Sequence, residues 1–214
     1  TVAVLYRRLS PAVEPKPHET KSALGESRRT VYRLAAVFSL DALGGGFAVQ
    51  SLIALWLYRR FHLSVATAGA IFFWAGLLAG FSALVAVRIA RRIGLVRTMV
   101  YTHIPANLLL ISTALMPNLP LALLCLFGRS ALAQMDVPTR TSYVMSVVSP
   151  AERPAAASVT NVPRSLMSAL GPLVAGRLLD HTTFGWPLVI AGTLKATYDL
   201  LLLAMFKNVQ TRDD

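Results

Sequence analysis

The chain has 214 residues, of which 55% are hydrophobic and only 14% charged, with a mean hydropathy of +0.56. A water-soluble domain carries roughly 45–50% apolar and about 25% charged residues, so this composition excludes one, and it excludes disorder and collagen as well. Lys and Arg number 21 against 10 Asp and Glu, a formal net charge of +11 that on a soluble chain would point to nucleic acid; here its placement decides.

Residues 1–5 (TVAVL), followed by Tyr6, Arg7 and Arg8, read as the end of a helix, and the chain as the C-terminal part of something longer. No charged segment followed by an apolar stretch marks a signal peptide. Residues 6–33 carry Pro11, Pro15 and Pro17 among Lys and Arg and read as a polar connector. A membrane span needs about 20 mostly apolar residues. Six stretches meet that requirement: 34–57, 65–87, 99–116, 120–137, 155–179 and 187–206, each bounded by charge, Pro or Gly. The fourth is expected to continue past Pro138, kinked there. Alternation at period two, which a transmembrane barrel requires, is absent. The fold class is therefore all-α integral membrane, a six-transmembrane-helix bundle. Its parts are a helix end and basic linker at 1–33, the six-helix domain at 34–207 and a tail at 208–214.

The positive charge sorts by side. Arg7, Arg8, Lys16, Lys21, Arg28, Arg29 and Arg33 precede the first span, and Arg88, Arg91, Arg92 and Arg97 follow the second. Arg140, Arg153, Lys207 and Arg212 fall on the same side, whereas Arg59, Arg60 and Arg177 fall on the other. The positive-inside rule then makes both ends of the six-helix unit cytoplasmic; a multi-pass plasma (inner) membrane protein of bacterial style is the expectation. The basic excess is a topology signal, and no nucleic-acid partner is expected. Ser149, Pro150 and Glu152 fit a capping box opening the fifth span; the functional alternative is a cytoplasmic gate of Glu152 and Arg153.

Charges inside a bilayer need a partner or a purpose. Asp41 lies in the first span, Arg129 and Asp136 in the fourth, Arg164 in the fifth, and Lys195 and Asp199 in the sixth. Arg129, Asp136 and Arg140 share one helical face with Gln134 nearby, and Asn161, Arg164, Ser168 and Pro172 form a second stripe. Two such stripes turned inward make either a wet substrate path or a salt-bridge network, Asp136 with Arg164 for example. Lys195 and Asp199, four apart on one helix, are expected to satisfy each other. Asp41 stands beside Gly44, Gly45 and Gly46, a soft helical segment suited to a proton-coupling acid; pairing with Arg33 is the alternative. Gly69, Gly76 and Gly80 form a small-residue face read as helix packing. Phe72, Phe73 and Trp74 read as lipid or core contacts, and Trp56 and Trp186 as an outer interfacial belt. Cys125 is the lone cysteine, and the four His (His18, His62, His103, His181) are scattered, so no metal, cofactor or catalytic constellation is expected and the chain does not read as an enzyme.

Six spans behind a basic linker resemble the second half, helices seven to twelve, of a major facilitator superfamily transporter. Three segments carry the resemblance. Arg88, Arg91, Arg92, Gly94 and Arg97 are similar to the family's short basic loop motif, with Arg91 where the family has aspartate. Gly171, Pro172 and Gly176 resemble the Gly-Pro helix motif of antiporter members, and Arg129 with Gln134 an arginine-then-glutamine helix motif at wider spacing. The resemblance implies secondary transport by alternating access, with the first, second, fourth and fifth spans lining a cavity and the third and sixth facing lipid. Implied partners are the lipid bilayer, a small-molecule substrate, protons, and the missing N-terminal six-helix half. Asp41 and Asp136 are the expected proton-coupling acids; Arg129, Gln134, Asn161 and Arg164 are the expected substrate contacts. Efflux is the direction the Gly-Pro motif favours. The alternative is a truncated half that serves as a non-transporting scaffold or works only as a dimer.

Overall fold

The structure, a computed structural model, describes residues 24, 25 and 27–206, except the side chains of Asp136 and Pro138. The expected helix end at residues 1–5, most of the connector, Lys207 and the tail lie outside the described residues. Among the described residues the chain is helical throughout. Its α-helices are α1 (Arg28–Phe47), α2 (Gln50–Phe61), α3 (Val65–Ile93), α4 (Leu95–Leu115), α5 (Leu119–Ala133), α6 (Asp136–Val147), α7 (Arg153–His181) and α8 (Trp186–Phe206); a 3₁₀ turn at Pro150–Glu152 precedes α7.

Helices cover all six expected stretches. Three are long and apolar enough to cross a membrane by length and composition: the α1–α2 stretch Arg28–Phe61, α3 and α8, while α5 is apolar but shorter. Helix α4 carries His103 and Asn107 within its apolar run, and α7 carries Asn161 and Arg164; each polar pair lowers the apolar character of its helix.

Local signals fix the helix ends. Ser64 Oγ accepts the Thr67 backbone N–H at 3.1 Å to start α3, and Asn118 Oδ1 accepts from Leu121 N at 3.1 Å to start α5. Gly94, at φ +88°, divides α3 from α4, a backbone conformation that glycine takes without a Cβ penalty. The fourth stretch is broken rather than merely kinked: α5 ends at Ala133 and α6 starts at Asp136. Pro138 has no N–H to offer the carbonyl four residues back, at Gln134, and the break falls there. The glycine run 44–46 stays helical, and the chain bends just after it, at Ala48 and Val49.

Helix α1 is central, packed on α7 and α8; α8 packs on α4, α4 on α5 and α6, and α3 covers α5 and α6 from outside. The tightest crossing joins α1 to α7. A Cβ on Gly46 would stand 2.5 Å from the Ser168 carbonyl oxygen and 2.9 Å from Gly171 Cα, so only glycines permit it. Two apolar clusters result. One gathers Leu34, Phe38, Met99, Tyr143, Leu202 and Phe206; the other gathers Phe47, Ile53, Trp56, Leu110, Leu179 and Leu188.

Trp56 corrects an expectation. It is fully buried, edge-on to Phe61 with ring centroids 5.6 Å apart, and is no belt residue. The missing side chain of Gly185, whose Cβ would sit 3.2 Å from the indole, makes the room. Trp186, by contrast, is half exposed, and Phe73 and Trp74 point outward. On the small-residue face of α3, no described atom lies within 4 Å of a Cβ on Gly69, Gly76 or Gly80. Among the described residues these glycines meet no other helix, and α3 touches the bundle through Ala68, Ile71, Ala75, Ser82 and Ala86.

Candidate functional site

Between the two apolar clusters runs a polar layer. On α1, Asp41 lies between Phe38 and Phe47; on α4, His103 and Asn107 lie between Val100 and Leu110; on α8, Lys195 lies between Ala191 and Tyr198. All four polar residues are buried, as are Arg140 on α6 and Asp199 on α8. In a low-dielectric interior such groups persist only when paired.

The pairing differs from the helical spacing. Lys195 Nζ donates to Asp41 Oδ1 at 2.5 Å, and Arg140 Nη1 donates to Asp41 Oδ2 at 3.2 Å. One carboxylate thus bridges three helices, α1, α6 and α8. Asp199 does not hold Lys195. Its Oδ1 stands 2.9 Å from His103 Nδ1, and its Oδ2 accepts from Asn107 Nδ2 at 2.9 Å. The physical reason is that α8 lies between α1 and α4, so residues four apart on it are drawn to helices on opposite sides. Asp41 accordingly turns away from Arg33, which is exposed. The Tyr198 ring meets His103 edge-on at 5.9 Å, and the Arg140 guanidinium sits 5.7 Å from the Phe38 ring centroid.

This layer forms one wall of a cavity of about 1130 Å³. Asp41, His103, Arg140 and Lys195 reach it from one side, Arg129, Ser130 and Gln134 from the end of α5, and Arg164 from α7. The α3 part of the wall is apolar, Phe72, Gly76, Gly80 and Leu84, with Ile53 of α2; Gln50, Thr141 and Ser142 are the further polar lining residues. Gly76 and Gly80, with no described atom within 4 Å of a Cβ, are therefore cavity wall.

Of the residues singled out by sequence, the structure brings Asp41, Arg129, Gln134 and Arg164 to this cavity, and leaves Asn161 exposed and outside its lining. Asn161 begins the α7 stripe three residues before Arg164, and α7 turns its Thr160 face, not Asn161, into the bundle. The Asp136 side chain lies outside the described residues. Arg88, Arg91, Arg92 and Arg97 are exposed around Gly94, at the α3–α4 junction. Gly171 forms the close crossing with Gly46, while Gly176 has open space around it. Sequence reasoning missed His103 and Asn107, a polar i, i+4 pair in an apolar run that carried a readable signal; Arg140, expected both on the Arg129–Asp136 face and among the basic residues of the cytoplasmic side, is buried against Asp41.

Outside the layer, Glu152 holds the start of α7. Ser149 Oγ and Ser27 Oγ both donate to Oε2 at 2.9 Å, and Gly25 N donates to Oε1 at 2.6 Å. The capping box is formed, and the same carboxylate also ties the end of the connector to the α6–α7 junction. The Gly25 amide and the Ser27 hydroxyl, with Ser149 adding to them, lower the Glu152 pKa from 4.5 to about 2. At the other end Arg59 of α2 donates to the Leu179 carbonyl and pairs with Asp180 at 3.0 Å, closing the C-terminus of α7.

Comparison with known proteins adds two findings. The family model described as Major Facilitator Superfamily matches residues 8–213. An uncharacterized membrane protein of Saccharomyces cerevisiae is 27% identical over 198 residues, which is 92% of this chain and 44% of that protein. The chain thus spans less than half the length of the curated relative it matches. No solved structure matches it.

Proposed function

Since the chain belongs to the major facilitator superfamily, whose members are membrane transporters and not enzymes, we propose that it is the C-terminal six-span half of a secondary transporter of small molecules that works by alternating access. Six spans are α1–α2, α3, α4, α5–α6, α7 and α8, with both ends cytoplasmic and the basic loops on that side of the plasma membrane. The observation that carries the reading is Asp41, a buried carboxylate bridging Lys195 and Arg140 at the edge of a large cavity. Interiors keep such groups at a cost of several kcal/mol per ion, and a purely structural bundle gains more from apolar side chains.

The coupling chemistry follows from that geometry. While Asp41 is ionised it ties α8 and α6 to α1. Protonation removes the charge that both cations answer, so the tie is weakened and the three helices are free to re-pack. A proton then binds the two arrangements with different affinity, which is what a coupling ion must do. Asp136 is the second coupling acid of this reading. Efflux is the assigned direction, on the Gly171–Pro172 resemblance. The exposed apolar faces of α3 (Phe73, Phe81) and α7 (Leu166, Leu173) support a companion, the other six-helix half. The second reading, a scaffold or a unit working only as a dimer, rests on the same faces.

The test is transport driven by a pH gradient in vesicles containing the intact membrane protein. Asp41→Asn is expected to abolish gradient-driven accumulation or expulsion while leaving the protein in the membrane. Normal gradient-driven transport by Asp41→Asn and by Asp136→Asn would overturn the coupling assignment. No flux of any solute across a broad screen, with the protein folded, would favour the scaffold.

A further inference from the structure

The cavity is unevenly charged. Among the described lining residues four basic side chains, Arg129, Arg140, Arg164 and Lys195, face it against a single carboxylate, Asp41. Both oxygens of Asp41 are already engaged, one by Lys195 and one by Arg140. Asp199 is fully buried, outside the lining, and held by His103 and Asn107. Adding the charge of Asp136 still leaves the basic side chains in excess. Arg129 Nε is buried with no hydrogen-bond partner among the described residues. Positive charge in a cleft with low-dielectric walls focuses the field and concentrates anions there.

The donors suit one kind of ligand. A guanidinium offers a planar fork that matches carboxylate or phosphate in a bidentate way, and it stays charged when desolvated. Ser130 and Gln134 add neutral donors beside Arg129. On α3, which packs against α5, Phe72, Gly76, Gly80 and Leu84 form a stretch of wall with no charge and no bulky side chain at the two glycines. A cavity of about 1130 Å³ exceeds the size of typical small-ligand sites, about 300–1,000 Å³.

We propose that this cavity binds a small organic anion, its carboxylate or phosphate group on the Arg129–Arg164 side and its apolar body on the glycine face of α3. The proposal rests on the transporter reading for its biological meaning, but the binding site stands on the charge and shape of the cavity. Gly76 and Gly80 are wall residues in this site because a side chain there would fill the space the ligand body takes.

The experiment uses the intact membrane protein that carries this chain, purified in a nonionic detergent at constant ionic strength. Its thermal midpoint is followed against phenyl phosphate, benzoate, benzyltrimethylammonium and benzyl alcohol. The two anions are expected to raise the midpoint saturably in the millimolar range, and the cation and the alcohol are not. Arg129→Gln should weaken the apparent anion affinity about tenfold, and Arg129→Lys, which keeps the charge but loses the fork, should lie between. Arg164→Gln gives the same readout should Arg129→Gln fail to fold. Equal shifts from the cation or the alcohol, no shift from either anion, or unchanged anion affinity in both Gln variants would overturn the proposal. Flux measured in proteoliposomes separates the two readings. Anion binding without flux of any probe sinks the transporter and keeps the site; flux of the cation that neither anion inhibits sinks the site and keeps the transporter.

Discussion

Removing Lys195 tests the three-helix bridge most directly, because the sequence and the fold give it different partners. At 2.5 Å and 3.2 Å, and with an effective dielectric near 20, Coulomb attraction to Asp41 is about 7 kcal/mol for Lys195 and about 5 kcal/mol for Arg140. Desolvation offsets most of this, so the gross figures rank the two pairs and do not predict net stability. Asp41→Asn removes the carboxylate that both Lys195 and Arg140 face and should cost about 3–5 kcal/mol, the usual range for breaking a buried pair. Lys195→Met leaves Asp41 with Arg140 and replaces an ammonium by an apolar group of similar length, so it should cost less, about 1–3 kcal/mol. The double variant should cost less than the sum by at least about 1 kcal/mol, because Lys195 has no carboxylate to lose once Asp41 is amidated. Unfolding in mixed micelles, with all four members of the cycle at pH 7, measures this coupling. The same cycle with Asp199→Asn should show weaker coupling to Lys195→Met. Additive Asp41 and Lys195 variants, together with strong Lys195–Asp199 coupling, would refute the bridge and restore the local i, i+4 pair.

Two further effects follow from the packing and the cap. The Glu152 pKa is lowered from 4.5 to about 2, so its hydrogen bonds contribute stability above pH 4.5 that is lost as pH falls towards 2. Glu152→Gln should therefore lower the thermal midpoint at pH 7, and the gap to the unaltered chain should narrow in melts taken between pH 4.5 and 3. A constant gap over that range would refute the ionised cap. Gly46→Ala places a methyl 2.5 Å from the Ser168 carbonyl and should destabilise by about 1–3 kcal/mol, whereas Gly69→Ala meets open space and should be neutral or slightly stabilising. Equal stability of the two alanine variants in denaturation would show that α1 and α7 do not cross at Gly46.

Much of the architecture was legible because helices of this kind report themselves locally. Run length, the capping Ser64 and Asn118, Gly94 and the Ser149–Glu152 box lie within a few residues of what they fix, and each appears as a helix boundary or cap. The break before Asp136 was legible in place but not in degree, since Pro138 signals a lost hydrogen bond without saying how far the helix axis turns. Trp56 was misplaced because an indole near a helix end suits a membrane interface and a core equally, and the space beside it comes from Gly185, over a hundred positions away. The α3 glycines carry the same kind of limit: a small-residue stripe says that something can approach, not what does.

The sequence by itself determined an all-helical membrane protein with the approximate course of its apolar stretches, its uneven basic loops and most of its buried charges, because these depend on composition and on neighbours within a turn or two. Only the tertiary structure decided which charges meet. Lys195 and Asp199 sit one turn apart on α8, yet each answers a residue on another helix, Asp41 on α1 and His103 on α4. Charge pairing in an interior goes to the partner within a few ångströms, and which residues come that close is set by how helices cross: here by α1 lying against α8, and by a contact between Gly46 and Gly171 that leaves no space for a methyl group.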